Sequence, residues 1–74
     1  MDDRRCAEIL RLEVALFFHR NPYAWETLES VALRLGRPAE TVRDAVERLL
    51  DQHVLEKKGE GAAVLYRYRK PLSL

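Results

Sequence analysis

Cysteine is almost missing from this chain. The one thiol, Cys6, cannot close an internal disulfide, so the fold has to be held by packing alone. With no secretory leader read at the start of the sequence, a reducing cytoplasm is the expected location. Long apolar runs are lacking as well. The longest, Val14 to Phe18, has five residues against the roughly 20 that cross a bilayer, which excludes a membrane-spanning helix. Glycine and proline number three each, and no Gly/Ser linker, low-complexity tract or internal repeat is present. One domain over residues 1–74 is therefore expected, with its core over about 7–70. Charge of one sign is not in excess either, because the net formal charge is only +1. Attraction to a polyanion would have to come from where the charges sit.

Catalytic patterns are absent too. His19 and His53 stand on different segments and have no Cys or carboxylate at zinc-ligand spacing. No G-x-S-x-G, Walker, Rossmann or HExxH pattern occurs. The sequence therefore names no catalytic residue, no metal ligand and no cofactor, and a non-enzymatic protein is expected.

What is present is a chain of 74 residues, 47% hydrophobic and 34% charged, too apolar for a disordered tail. A chain of this length buries only about two-thirds of its unfolded surface, so a partner or a second copy is a reasonable source of extra support. Nothing from Asp2 to about Arg20 breaks a helix, and Asn21-Pro22 ends it because the residue before proline avoids helical angles. Thr27 can cap a second helix running through Leu35, with Gly36 supplying a left-handed stop. After Arg37-Pro38, the residues Val42, Ala45, Val46, Leu49 and Leu50 recur at helical spacing to about Gln52 or His53. The period then changes. Val54-Leu55, polar Glu56-Lys57-Lys58, Gly59-Glu60-Gly61 and the stretch Ala62 to Arg69 read as a β-hairpin, with Val64, Tyr66 and Tyr68 on alternate positions. Residues 22 to 26 hold a candidate third strand around Tyr23-Ala24-Trp25, and Lys70 to Leu74 read as a frayed end. Leu10, Val14, Phe17, Leu28, Val31, Ala32, Leu35, Val42, Val46, Leu49, Leu55, Val64 and Tyr66 form the predicted core.

Two short helices joined by a glycine-containing turn, with small Ala32 letting them cross closely, make a helix-turn-helix pattern. The stretch from Thr27 to Leu50, TLESVALRLGRPAETVRDAVERLL, resembles the winged helix-turn-helix domains of bacterial and archaeal regulators such as the MarR and ArsR families. The following hairpin is similar to their wing. The resemblance covers residues 7 to 70 and implies an α+β fold of three helices with a small antiparallel sheet. It also implies duplex DNA binding, with the third helix in the major groove and the wing on the backbone or minor groove. In that family a glycine usually stands where this chain has His53, and a histidine adopts the left-handed angle less easily. Tyr66 and Tyr68, on one face of the last strand, are expected to pack rather than to stack on bases.

Charge qualifies that expectation. With Val42, Ala45, Val46 and Leu49 inward, the third helix presents Ala39, Glu40, Arg43, Asp44 and Glu47, a face of net −2 that phosphates repel. Between residues 56 and 70, Lys57, Lys58, Arg67, Arg69 and Lys70 outnumber Glu56 and Glu60 for an excess of +3, and the rest of the chain carries −2. The resemblance therefore assigns DNA contacts to Lys57, Lys58, Arg67 and Arg69 on the wing, with Arg37, Thr41 and Arg43 positioning and reading the groove. The alternative is a winged-helix module that uses the same surface for a protein partner. At about 100° per residue, Ala7, Leu10, Val14, Phe17 and Phe18 form one stripe on the first helix and Ile9, Leu12 and Leu16 a second. A surface helix normally has one stripe, so a homodimer through Ile9, Leu12 and Leu16 is expected, with Leu10, Val14 and Phe17 turned inward. The competing reading wedges both stripes into a single core.

Overall fold

The computed structural model describes residues 3–69; the expectations for Asp2 and for Lys70 to Leu74 lie outside them. Among the described residues the chain is an α+β fold of three helices and one two-stranded antiparallel sheet: α1 (Asp3–Arg20), α2 (Leu28–Leu35), α3 (Ala39–Asp51), β1 (Leu55–Lys58), a 3-10 turn (Gly61–Ala63) and β2 (Leu65–Tyr68). α1 packs against α2, α3 and β2, and α3 also packs against α2 and β1.

The boundaries follow from local chemistry. Asn21 closes α1, its backbone N–H donating to the Phe18 carbonyl at 3.1 Å and its side chain to that of Phe17 at 3.1 Å. Thr27 caps α2 by accepting from the Ser30 N–H at 3.1 Å, which satisfies a donor that the first turn otherwise leaves open. The Ser30 hydroxyl in turn donates to Glu26 at 3.0 Å. Gly36 ends the helix at φ 66, and the Arg37 N–H returns to the Ala32 carbonyl at 3.1 Å, as the left-handed stop requires. Pro38 then opens α3 with φ −60 and no side-chain cap, its ring already set near the helical angle.

The core lies where the three helices meet the base of the hairpin. Leu10, Val14 and Phe18 of α1 are buried together with Leu28, Val31, Ala32, Val42, Ala45, Val46, Leu49 and Leu55. Leu35, Tyr66 and Tyr68 are partly buried against them. Val64 is corrected, and Phe17 belongs with Leu35 and Tyr66 among the partly buried residues packed against the cluster. Phe18, not Phe17, is the inward ring: Phe18 is completely buried, whereas Phe17 is half-buried and meets it edge-on at 5.4 Å between centroids. Phe17 stands three residues beyond Val14 and Phe18 four, so the helical wheel admits either ring; the fold buries Phe18 and leaves Phe17, about 100° around the helix from it, facing α2. Val64 is half-buried and stands outside the core cluster.

The sheet is also shorter than the alternation suggests. β2 begins at Leu65, because Gly61–Ala63 fold into the 3-10 turn at the hairpin tip. Pairing runs Leu55 with Tyr68, Glu56 with Arg67, Lys57 with Tyr66 and Lys58 with Leu65. Gly59 makes the reversal at φ 89, and a Cβ there would collide with the Ala63 carbonyl. The third strand expected within residues 22–26 is reduced to one bridge at the end of that segment: Glu26 and Tyr66 exchange two backbone hydrogen bonds of 2.8 Å.

Phe18 joins α1 to the rest of the core. Phe18→Ala is expected to lower unfolding free energy by about 3–5 kcal/mol, most of what a domain of this size holds. Phe17→Ala should cost less than about 2 kcal/mol because that ring is only half-buried. Urea unfolding of the two variants checks the order, and equal losses would reject the inward assignment of Phe18.

Candidate nucleic-acid interface

The hairpin leaves the end of α3 through an unusual residue. Gln52 donates back to the Arg48 carbonyl at 3.0 Å and His53 to that of Leu50 at 3.0 Å. His53 then adopts φ 61, the one non-glycine residue with positive φ among those described. This is the angle for which glycine is the usual solution. The conformation is supported from outside: the Arg69 guanidinium donates to His53 Nδ1 at 3.0 Å, and the Arg69 N–H donates to the Val54 carbonyl at 2.9 Å. One strand end thus locks the turn that launches the other.

The pleat sorts the hairpin cations. Leu55, Tyr66 and Tyr68 turn toward the core, and Lys57 is paired with Tyr66 on the same side but near the exposed tip. Glu56, Lys58, Leu65 and Arg67 occupy the other face, as alternate residues must. Lys57 and Lys58 are both exposed and lie on opposite faces. Arg67 is committed: its Nε and Nη2 donate to Glu56 Oε1 at 3.2 and 2.7 Å, and its guanidinium lies 4.3 Å from the Trp25 ring centroid. Lys58 Nζ lies at the same distance from that ring. Tyr68 packs edge-on against His19 at 5.3 Å, so both strand tyrosines serve packing.

The three residues expected to read a groove are not brought together. Arg37 is ion-paired to Glu13 of α1 at 2.6 Å. The Thr41 hydroxyl donates to the Pro38 carbonyl at 2.8 Å. Arg37 and Thr41 both line an open groove of about 880 Å³ between α1 and α3, whereas Arg43 is about 200° around the helix from Thr41. Between them, directly opposite the buried row, run Glu40, Asp44, Glu47 and Asp51 at spacings of four, three and four. All four are exposed, and none has an ion pair among the described residues. Glu40, Asp44 and Glu47 belong to the outward face named from the sequence; Asp51, four residues beyond Glu47, continues the same face at the last residue of α3.

The second stripe of α1 is uncovered, with Ile9, Leu12 and Leu16 at 50%, 66% and 52% exposure. Beside it, Leu16, Phe17 and Leu35 line a shallow groove between α1 and α2. Among the described residues no cluster of His, Cys, Asp and Glu could hold a metal ion, and no helix is long and apolar enough to cross a membrane. Compared with known proteins, the chain matches no family model, no curated protein and no solved structure.

The His53 turn generates a direct test. His53→Val puts a β-branched residue at positive φ and should cost about 1–2 kcal/mol, a fall of several degrees in melting temperature. His53→Gly removes the steric conflict and should melt no lower than the parent by more than about 0.5 kcal/mol equivalent. A valine variant as stable as the parent would contradict the turn geometry.

Proposed function

We propose that the chain is a winged helix-turn-helix unit that binds duplex DNA through its hairpin, the wing. The observation that carries this reading is the placement of exposed Lys57 and Lys58 on opposite faces of a hairpin fixed beside the α2–turn–α3 pair. A ribbon with cations on both faces suits entry between two phosphate strands better than contact with one. Arg69, exposed at the base of the wing, extends that surface: one guanidinium nitrogen is held by His53 Nδ1, but unlike Arg67 it faces no neutralising carboxylate among the described residues. Helix α3 contributes little adhesion: its outer ridge is acidic, and carboxylates next to phosphates weaken binding whatever the sequence. Of the residues expected to read a groove, Arg43 is the one left to do so on α3, with the ridge disfavouring deep insertion.

Two-fold pairing through Ile9, Leu12 and Leu16 completes the proposal. Their exposed surface amounts to a patch on the order of 300 Å², within the range of the largest apolar patch on a typical monomer, which is often functional. A second copy doubles the number of wings, which compensates for few cations per protomer. The second reading, a protein-binding module, is favoured by one specific feature: the unneutralised row Glu40, Asp44, Glu47 and Asp51 would suit a basic protein surface. Salt separates the two on DNA, since a protein adapter has no steep response to it there.

With Arg67 held by Glu56, three wing cations (Lys57, Lys58 and Arg69) face phosphates, and the slope of log affinity against log salt should be about −2.7 per protomer. Counting Arg67 as a fourth would make it about −3.6. Reversing Lys57 and Lys58 to Glu should weaken random duplexes of every sequence alike. A double variant that binds as well as the parent, measured by anisotropy across a salt series, would remove the wing from the interface.

Sedimentation tests the pairing. The parent should show concentration-dependent association in the micromolar range, and a Leu12→Glu, Leu16→Glu variant should be a folded monomer, because both side chains lie outside the core. A parent that stays monomeric at high micromolar concentration rejects the dimer, and a variant that unfolds returns the stripe to the core.

A further inference from the structure

Trp25 has a place in the fold that core packing does not explain. It is half-buried and is not one of the residues packed into the central cluster. It precedes Glu26, whose double backbone exchange with Tyr66 carries the indole against the hairpin face holding Glu56, Lys58 and Arg67. Both cations then lie 4.3 Å from its centroid, within the range where the negative face of an indole attracts a positive charge. Side chains of this length on an exposed hairpin ordinarily sample many rotamers, and binding an anion would have to immobilise them. Here the ordering is done in advance.

We propose that Trp25 is a positioning residue for the wing: it holds Lys58 ordered for contact with a phosphate oxygen, while Glu56 keeps Arg67 as a fixed neighbour rather than a second phosphate ligand. This rests on the duplex-binding reading above. The ammonium carries three donors, and the ring attracts the ion without accepting a conventional hydrogen bond from all of them. The donors turned away from the ring remain available at the exposed end of the side chain. Arg67 differs because two of its donors already go to one carboxylate oxygen of Glu56, and that carboxylate repels an approaching phosphate. Trp25 and Glu56 therefore divide the labour between two cations that a count of charges treats as equal.

The test uses the full chain and a labelled random-sequence duplex, followed by anisotropy at several salt concentrations, with circular dichroism to confirm folding. Trp25→Phe keeps an aromatic face and should bind within about twofold of the parent. Trp25→Leu keeps apolar bulk without the face and should bind about fivefold more weakly, from the added cost of ordering Lys58, with an unchanged salt slope. Glu56→Gln frees Arg67 and should steepen the slope by about 0.9. Trp25 is the sole tryptophan, so its emission gives a reading that does not depend on the leucine variant folding: it should change on saturation with duplex and stop changing in Lys58→Met. A leucine variant that binds like the parent, or parent emission indifferent to bound duplex, overturns the positioning role and leaves the wing reading standing. A Glu56→Gln slope equal to the parent's overturns the assignment of Arg67. A parent with no salt-dependent duplex binding overturns the wing reading and the role of Trp25 with it.

Discussion

The seam between α1 and α3 is the constraint from which the other features of this fold follow. Leu10, Val14 and Phe18 on one helix and Val42, Ala45, Val46 and Leu49 on the other are buried in one cluster, and no disulfide or metal is there to substitute for them among the described residues. Because α3 has one buried row, the side opposite it is fixed, and that side is the acidic ridge. Because α1 has one buried row, its opposite side is fixed too, and that side is Ile9, Leu12 and Leu16. Both exposed surfaces are therefore set by the same packing. Neither could be rotated away without dragging apolar residues into water at about 25 cal/mol for each Å² exposed.

Features governed by neighbours along the chain are legible in the sequence. Thr27 and Gly36 bracket α2 because capping needs only a side chain three residues from its target and a residue free to take positive φ. Features governed by partners distant along the chain are not. Phe17 and Phe18 are adjacent and equally apolar, so periodicity alone tolerates either inward. What separates them is α2, which offers Phe17 a half-open place beside Arg34, whose guanidinium lies 5.7 Å from its ring. Aromatic residues near Pro22 suggest a short strand within 22–26, yet only Glu26 at its end pairs, where Tyr66 presents its N–H and C=O. At the hairpin tip, the alternation of Val64, Tyr66 and Tyr68 extends naturally back to Ala62. The positive angles of Gly59 and Gly61 instead divert that segment into a 3-10 turn.

The candidate site is legible in the sequence as an excess of charge and illegible as a set of available charges. Of the seven residues named for DNA contact, Arg37 and Arg67 are neutralised by Glu13 and Glu56, residues 24 and 11 positions away along the chain. Thr41 spends its hydroxyl on its own helix. Such pairings depend on register and helix crossing, which composition does not encode. The same geometry brings Trp25 against Lys58 and Arg67, a placement that its sequence neighbours, which suggest only a strand former, do not reveal. A tryptophan beside a predicted basic hairpin is a usable signal, since it is the strongest cation–π acceptor among the side chains, but it needs the Glu26–Tyr66 bridge to bring the ring within reach.

On the duplex-binding proposal, the acidic ridge and the basic hairpin together limit how the protein could approach DNA. If α3 entered a groove fully, four carboxylates would approach two phosphate strands, and their repulsion would offset most of what three wing cations contribute at low salt. A shallow approach led by the wing avoids this, and it makes base discrimination per protomer weak. Occupancy would then depend on having two wings engaged at once, because linking two weak contacts raises affinity without demanding more from either. On the proposed reading, the exposed stripe of α1 and the acidic ridge of α3 are parts of one arrangement: the ridge would make a single protomer a poor binder, and the stripe would offer the surface through which a second protomer corrects it.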